Sequence, residues 1–403
     1  MKRIAESRSG ATGIPVSSGG VRGVALFGGG TGGHLYPGLA LCEHLREHVP
    51  ECHVTVFRSG RVVESHVFEG ANVNNVVLEI EPPGTGPSGP FRFLRQVRRG
   101  VREVRDYMRC HPVDVAIGLG GYASVPGLVA ARSMKIPVVL LEQNARPGKV
   151  NRLFGPFSSC VACASPESVA GFGALRRLAR IEDTGNPLRR QVIEARHWRQ
   201  ARTPVERRRD LGFVDRRVVV VFGGSQGSRA VNRAVTEAVP GARAFSEKIS
   251  FIHMTGTTDK DSVEAAYRRA GWDARVAAFD PELPSLLAGA DLVVARAGGT
   301  TLAELAAIGV PSVLVPFPGH RDQHQRINAR ALEARGAAIV LDEEEFVRRG
   351  MDVVFDRLFD DTALRSMERA ASRAARVDGV DRVAELIGEL AGARRGTDGR
   401  EVP

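Results

Sequence analysis

Three glycine-rich loops, each placed after a short apolar run, are the segments of this sequence best suited to chemistry. The first, Gly28–His34, has the spacing G-x-G-x-x-G and is followed by a helical pattern, and similar loops stand at Gly118–Tyr122 and Gly223–Gly227. Backbone amides in such loops, aided by the dipole of the following helix, receive phosphate groups. The pattern predicts phosphate-bearing ligands, although a tight turn between strand and helix also selects glycine for structural reasons alone.

Dinucleotide binding is only partly compatible with these loops. NAD requires an acidic residue at the end of the second strand to hold the ribose, but Arg58 follows the run Val54–Phe57. This disfavours NAD and leaves an NADP-dependent oxidoreductase as one rival interpretation. A nucleotide-sugar sensor without catalytic activity is another.

Two further groups could take part in catalysis or binding. His34 closes the first glycine loop and titrates in the range useful to a general base, although it could instead bind a phosphate oxygen or be structural. The cluster Arg296–Glu304 has small residues after an apolar run, so its amides could reach a pyrophosphate at a helix N-terminus. Glu304 could then accept hydrogen bonds from a ribose diol, or merely complement the helix dipole.

The elements that must position these residues follow a strand, loop, helix rhythm that occurs twice. The apolar runs predicted to be strands are Val24–Phe27, Val54–Phe57, Val113–Ile117, Val138–Leu141, Cys160–Ala164, Val218–Phe222, Ile249–Met254, Val276–Ala278, Leu292–Ala295, Ser312–Val315 and Ala338–Leu341. This rhythm predicts an α/β fold with two Rossmann-like, doubly wound parallel sheets facing one cleft. The polar, arginine-rich stretch at 188–212 is predicted to be a linker.

The chain of 403 residues is long enough for two domains. We predict a disordered tail at 1–20, an N-terminal domain at 21–187, a C-terminal domain with closing helices at 188–392, and a second disordered tail at 393–403. A formal charge of +10 favours phosphorylated ligands, nucleic acid or an anionic membrane face. The five cysteines, with no secretory signal before them, predict a cytoplasmic protein, and no apolar run is long enough to cross a membrane.

Two short motifs have simpler explanations than a metal site. Asp259-Lys260-Asp261 has the spacing found in metal-dependent glycosyltransferases, but it precedes a helical pattern and is better explained as a helix N-cap and a first-turn acid. Cys160 and Cys163 lack a second pair of ligands, so buried thiols are expected.

Taken in order along the chain, the motifs resemble the MurG family, the lipid-linked N-acetylglucosaminyltransferases of peptidoglycan synthesis. The resemblance runs from about Val21 to Leu390 and rests on Gly28–His34 with Pro37–Ala40, Gly120–Tyr122 with Pro126-Gly127, Glu142–Asn144, Gly185–Pro187 with Arg189, Gly223–Gly227, Gly298–Glu304, and Gln325 with Asn328. It implies a glycosyltransferase B-type fold and inverting transfer of N-acetylglucosamine from UDP-GlcNAc to the C4 hydroxyl of undecaprenyl-diphospho-muramoylpentapeptide. By this likeness the C-terminal domain holds the nucleotide sugar and the N-terminal domain the lipid diphosphate.

The resemblance also implies roles for individual residues. The catalytic or acceptor-side residues would be His34, Tyr122 and Glu142, with a carboxylate such as Asp322 or Glu142 as the alternative base. The UDP-GlcNAc contacts would be Thr31, Gly32, Gly33, Asn144, Arg189, Ser225, Thr300, Thr301, Glu304 and Gln325. No metal and no tightly bound cofactor is implied, because helix N-termini and Arg189 would meet the charge of the departing UDP. Departures from the family pattern at Leu141, Ala145–Pro147 and Asp280-Pro281 leave a relative that glycosylates another lipid or natural product as an alternative.

The segment Phe91–Arg109 is predicted to be an amphipathic helix. Its apolar residues recur at helical spacing and each is followed by an arginine, which places an apolar and a basic stripe side by side. A lipid-linked acceptor implies peripheral binding to the inner face of the cell membrane, with the end Phe91–Arg95 against the lipid and no role for nucleic acid. The alternative is a helix that packs on the core with its arginines in water.

Overall fold

The computed structural model describes residues 20–398 except 31, 62–63, 65–66, 69–72, 85, 87, 225–226 and 321. Most of the two predicted tails therefore lies outside the described residues, as do Thr31 and Ser225. The described residues form two parallel α/β sheets, which confirms the predicted fold class.

Seven strands build the first sheet, and the glycine loops of this half leave from two neighbouring strands. The strands are β1 (Gly23–Gly28), β2 (His53–Arg58), β3 (Asn74–Val77), β4 (Val115–Gly120), β5 (Val138–Glu142), β6 (Cys160–Cys163) and β7 (Ile181–Asp183), and the helices are α1 (Gly32–His48), α2 (Gly89–Cys110), α3 (Val125–Ser133), α4 (Lys149–Phe154) and α5 (Pro166–Gly171). All pairs are parallel and the order is β3-β2-β1-β4-β5-β6-β7. The direction of winding reverses between β1 and β4, the point at which open α/β sheets bind ligands.

Six strands build the second sheet in the same manner. The strands are β8 (Arg217–Phe222), β9 (Ile249–Met254), β10 (Ala274–Ala277), β11 (Leu292–Ala295), β12 (Ser312–Leu314) and β13 (Ala338–Val340), and the helices are α6 (Arg190–Gln200), α7 (Pro204–Asp210), α8 (Arg229–Ala238), α9 (Lys260–Ala270), α10 (Leu283–Gly289), α11 (Gly299–Ile308), α12 (His324–Glu333), α13 (Glu343–Leu358), α14 (Asp361–Ala374) and α15 (Gly379–Asp398). The order β10-β9-β8-β11-β12-β13 puts this switch point between β8 and β11.

Each predicted strand is present, with small shifts at its ends, whereas β3 and β7 were not predicted. Both missed strands lie at the edges of the first sheet. The sequence of β3 is polar at Asn74 and Asn75, and β7 has only three residues, Ile181–Asp183. Edge strands lack the continuous apolar run that marks a strand buried on both faces.

The predicted linker at 188–212 is wrong, because most of it folds into α6 and α7. Val192 and Ala195 of α6 are buried in the core of the second domain. The arginines that suggested a solvated linker are partly buried themselves: Arg199 Nε and Arg207 Nη1 both donate to Glu368 Oε1, at 3.1 and 2.8 Å. Shared ion pairing explains how an arginine-rich segment packs on a core.

The last helix, α15, also differs from the prediction. Val383, Leu386 and Ile387 pack in the core of the first sheet, against α1 residues such as Leu41 and Leu45. The closing helix therefore crosses back to the N-terminal domain, although the sequence division assigned it to the C-terminal one. It continues to Asp398, so the predicted disordered tail begins inside a helix.

Candidate active site between the two sheets

His34 lies in the first turn of α1, directly after the first glycine loop. Its ring packs on the end of β4, since a Cβ built on Gly120 would lie 3.2 Å from His34 Cδ2. Burial, with a smaller contribution from His324, lowers the pKa of His34 to about 4. The imidazole is therefore neutral at physiological pH and able to accept a proton.

The first glycine loop is held by the carboxylate of Glu64, a residue that no sequence motif marks. Gly30 has φ +99°, a conformation that favours glycine. Its N–H donates to Glu64 Oε1 at 2.7 Å, and Arg61 Nη1 donates to its carbonyl at 3.4 Å. Because that amide is already bonded, a phosphate would have to bind the N-terminal amides of α1.

Tyr122 borders the same loop, since a Cβ built on Gly30 would lie 3.9 Å from Tyr122 Cε1. The Arg61 guanidinium lies 5.8 Å from the centre of its ring. Its hydroxyl is buried and has no hydrogen-bond partner within the described ranges. A buried, unpaired hydroxyl beside the loop makes Tyr122 a candidate for substrate contact.

The second domain meets this loop through the start of α11. Thr300 Oγ1 donates to the carbonyl of Gly33 at 2.6 Å, so two predicted donor contacts lie together across the domain interface. Thr301 is next to it and half-buried. The approach requires glycine at 299, because a Cβ there would lie 2.1 Å from the carbonyl oxygen of Gln143.

Arg189 and Glu304 form a buried ion pair at the same interface. Arg189 Nη2 lies 2.8 Å from Glu304 Oε1, and the side chains are 10% and 12% exposed. The guanidinium also lies 4.0 Å from the ring centre of Tyr36 on α1, a contact that the sequence did not predict. Arg189 thus ties together the first domain and α11.

A second bridge joins the domains at the end of β5. Asn328 Nδ2 donates to Asn144 Oδ1 at 3.0 Å, and Asn328 Oδ1 accepts from the amide of Ala145 at 2.8 Å. Gln325, one turn earlier on α12, accepts from the amides of Ala297 and Phe317. Asn144 and Gln325, both predicted donor contacts, therefore flank the start of α11 from opposite domains.

Glu142 has a structural environment that does not fit the predicted catalytic role. Its buried carboxylate accepts from the amide of Asn144 at 2.9 Å, the amide of Gly148 at 2.8 Å and Asn151 Nδ2 at 3.0 Å. These bonds hold the loop after β5 and leave the carboxylate engaged within its own domain. Of the two alternative bases, Asp322 is the more open, with Oδ1 lying 2.8 Å from His324 Nδ1.

The two motifs that resembled metal sites have structural roles. Asp259 stands at the N-cap position of α9 but accepts from Asn232 Nδ2 at 2.9 Å instead of capping the helix, and Asp261 lies in the first turn. Cys160 and Cys163 are buried free thiols, and burial raises the pKa of Cys160 to about 12. In the part of the chain that the structure describes, no group of three or more His, Cys, Asp or Glu side chains is placed to hold a metal ion.

The switch points of two Rossmann-like sheets face each other, and glycine loops and the N-terminus of α11 lie at the interface between them. These features define a glycosyltransferase B-type protein. The family model described as "Glycosyltransferase family 28 N-terminal domain" matches residues 24–163, and "Glycosyltransferase family 28 C-terminal domain" matches residues 218–383. A relative from Syntrophotalea carbinolica is 36% identical over 91% of this chain and 98% of its own length. One from Anaeromyxobacter dehalogenans is 35% identical over 92% and 94%. Both are named UDP-N-acetylglucosamine–N-acetylmuramyl-(pentapeptide) pyrophosphoryl-undecaprenol N-acetylglucosamine transferase.

The chain therefore belongs to the MurG family of glycosyltransferase family 28. Among solved structures, MurG of Acinetobacter baumannii has the same fold, with a TM-score of 0.69, 24% identity and coverage of 91% of this chain and 99% of that one. The UDP-GlcNAc 2-epimerase of Neisseria meningitidis also matches, with a TM-score of 0.62, 14% identity and coverage of 92% and 99%. Since one fold hosts both kinds of protein, the fold alone does not decide the reaction.

Proposed function

We propose that this chain transfers N-acetylglucosamine from UDP-GlcNAc to the C4 hydroxyl of undecaprenyl-diphospho-muramoylpentapeptide, with inversion at the anomeric carbon. Family membership and the names of the relatives support this reaction. The observation that carries it is the Arg189–Glu304 pair, which sets a cation and a carboxylate at the second turn of α11, close after its N-terminus. A guanidinium and a helix N-terminus suit a diphosphate, and a carboxylate suits a ribose diol.

In this proposal the donor lies against the second domain. The start of α11 and Arg189 hold the diphosphate, and Glu304 accepts from the ribose hydroxyls. The Arg189 bond engages Oε1 of Glu304, and Oε2 has no hydrogen-bond partner among the residues that the structure describes. Asn144 and Gln325 complete the donor site from either side, with Thr31 and Ser225 as predicted contacts outside the described residues.

The chemistry needs a base for the acceptor and stabilisation of the leaving group. The C4 oxygen attacks the anomeric carbon, the bond from that carbon to the UDP oxygen breaks, and the C4 proton passes to His34. A histidine of low pKa can take this proton because the hydroxyl becomes strongly acidic as the new bond forms. Arg189 and the amides of α11 stabilise the departing diphosphate without moving.

We also propose that α2 brings the enzyme to the membrane. The body of this helix packs on the core, with Val97 and Val104 buried, whereas Phe91 is 78% and Leu94 47% exposed at its start. Arg95 lies beside them and is exposed, with no ion pair within the described ranges. An exposed aromatic residue near an unpaired arginine suits an anionic lipid surface. No helix of the described residues is long and apolar enough to span a bilayer.

The proposed reaction is tested by incubating the purified protein with radiolabelled UDP-GlcNAc and the lipid-linked muramoylpentapeptide. We expect label in the lipid product, and protection against thermal unfolding by UDP-GlcNAc but not by NADPH. Protection without turnover on this acceptor would indicate a different acceptor or a sensor. Protection by NADPH alone would overturn the proposal in favour of an oxidoreductase.

A further inference from the structure

Glu64 is a fully buried carboxylate that follows β2 and joins two loops of the first domain. Its Oε1 accepts from the amide of Gly30 at 2.7 Å and the hydroxyl of Ser59 at 2.5 Å. Its Oε2 accepts from the amides of Gly60 and Arg61, at 2.8 and 3.2 Å. Four donors thus converge on one side chain, and one of them belongs to the first glycine loop.

The arrangement requires a carboxylate. Each oxygen of Glu64 accepts from two donors, so an amide in its place would satisfy one pair and turn its own N–H groups towards the other pair. The space is also closed, because a Cβ on Gly29 would lie 2.5 Å from Oε1. The loop and the carboxylate therefore fit only in this one arrangement.

The loop that Glu64 holds contains His34, the proposed base. Gly30 has a left-handed backbone conformation. Three residues later Gly33 accepts a hydrogen bond from Thr300 across the interface, and His34 comes next. A small displacement of this loop moves the proposed base and the domain contact together. Misplacement of reacting groups by about 1 Å can cost about a hundredfold in rate.

We infer that Glu64 is a positioning residue for glycosyl transfer: it sets the first glycine loop, and through it His34, for proton transfer from the acceptor. The inference rests on the proposed function. Glu64 touches neither substrate nor reacting atoms, so its effect passes through the loop. A residue that served only the stability of the fold would leave the rate per folded molecule unchanged.

The test is Glu64→Gln, an isosteric change that removes bonding to one pair of donors. We expect kcat per folded molecule to fall about 10- to 100-fold. The dissociation constant for UDP, measured by calorimetry, should stay within about twofold, because most of the predicted nucleotide contacts lie in the second domain. Glu237→Gln is the matched control, since Glu237 accepts from Arg233 on the exposed face of α8 and should give unchanged kcat.

Ser59→Ala provides a second variant in case the first does not fold. It removes one donor from Glu64 without introducing a clash, and a drop in kcat of about threefold to tenfold is expected with the same UDP affinity. Lower melting temperature with parental kcat in both variants would overturn the inference. Absence of transfer by the parent protein would instead reject the proposed function, so the two failures are distinguishable.

Discussion

His34 is the residue on which the proposed chemistry depends most. Replacing it with alanine should lower kcat by about 10²–10⁴-fold with little change in donor binding, because only proton transfer is lost. Since burial lowers its pKa to about 4, this group stays neutral from pH 5 upwards. The parental rate should therefore show no loss near pH 6.5 attributable to this group, as stopped-time assays between pH 5 and 8 would show.

His48→Ala is the matched control for that experiment, because His48 is exposed at the other end of the same helix. Its kcat should equal the parental value. Near-normal kcat in His34→Ala would return His34 to a phosphate-binding or structural role, and the Asp322–His324 pair would become the better candidate for the base.

Glu304→Ala should raise the donor KM about 10- to 100-fold, because a charged contact to the ribose is worth roughly 1.5–3 kcal/mol. It also leaves Arg189 buried without its carboxylate, which destabilises the fold. Glu304→Gln separates these effects, since its carbonyl oxygen can still accept from Arg189. A donor KM unchanged in a glutamine variant of parental melting temperature would remove Glu304 from the donor site.

The sequence predicted which residue types meet at the site better than it predicted their partners. Arg189, Glu304, Thr300 and Gly33 all follow from motif positions, but their pairing across the interface depends on how two sheets meet. Glu142 matched a family motif, yet its carboxylate is engaged with its own loop. The hydrogen bonds of Glu64 to Gly30 and Gly60 correspond to no glycine motif and no periodic pattern around Glu64 in the sequence, so only the folded backbone identifies them.

At the level of elements, α2 combines a buried body with the exposed end that we propose to contact the membrane. We expect the variant Phe91→Ser, Arg92→Gln, Phe93→Ser, Arg95→Gln to lose salt-sensitive sedimentation with anionic vesicles, because each basic residue contributes about 1 kcal/mol near anionic lipid. Its affinity for UDP-GlcNAc should not change. The buried body of the helix, at Val97 and Val104, is left intact so that folding is preserved.

A control with the same changes in charge and number of apolar side chains keeps this test specific. Exposed positions of the second domain supply it: Val347→Ser, Val377→Ser, Arg365→Gln and Arg369→Gln. This control should sediment like the parent. Equal sedimentation of the α2 variant and the parent would place the membrane-facing surface elsewhere.

Strand β9 carries a buried histidine that should make stability depend on pH. His253 lies between Asn232 Oδ1 at 3.0 Å and the Tyr267 hydroxyl at 3.1 Å, and burial lowers its pKa to about 3. In the unfolded chain it titrates near 6.5, so between these values only the unfolded state binds the proton. The free energy of unfolding should fall by about 2 kcal/mol from pH 7.5 to 5 on this account.

Urea unfolding of the parent and of His253→Gln at both pH values measures this contribution. His34 acts in the same direction, so the relevant quantity is the difference between variant and parent. The variant should lose less stability on acidification. An identical loss in both proteins would show that His253 is not desolvated as this arrangement requires.

The strands were more predictable than the segments between them for a physical reason. Central strands such as β8 and β11 are buried on both faces and therefore appear as nearly continuous apolar runs. The helices α6 and α7 are rich in arginine, which made them look solvent-exposed in the sequence. Two of these arginines are instead buried and pair with Glu368, a residue far along the chain. Composition alone cannot distinguish such buried arginines from solvated ones.

For the whole molecule, the main feature is that most of the proposed donor contacts among the described residues lie where the two domains meet. Thr300 bonds Gly33, Arg189 bonds Glu304, and Asn144 is bridged to Asn328. A donor bound at the proposed site would touch both domains at once, so we expect its affinity to depend on how the domains are held together. The helix α15 adds to this coupling, because it follows the second domain in the chain and packs on the first sheet.

Asn328→Asp tests that coupling at one bridge. The Nδ2 group donates to Asn144 Oδ1 and to the carbonyl of Ala297, and an oxygen in its place would repel both. Asn144 cannot compensate by turning its amide, since its own Nδ2 already donates to Glu142.

In Asn328→Asp the cleft should therefore open, with a larger radius of gyration in small-angle scattering and about tenfold weaker UDP-GlcNAc binding, or about 1.4 kcal/mol. UDP, which is smaller and lies mainly on the second domain in the proposed site, should lose less affinity. Gln323→Glu makes the same change of charge five residues earlier, on an exposed side chain at the N-cap position of α12, and should leave both measurements at parental values. If Asn328→Asp scatters and binds like the parent, this bridge does not hold the domains, and their spacing depends on other contacts between them, such as Thr300–Gly33 and Arg335–Glu167.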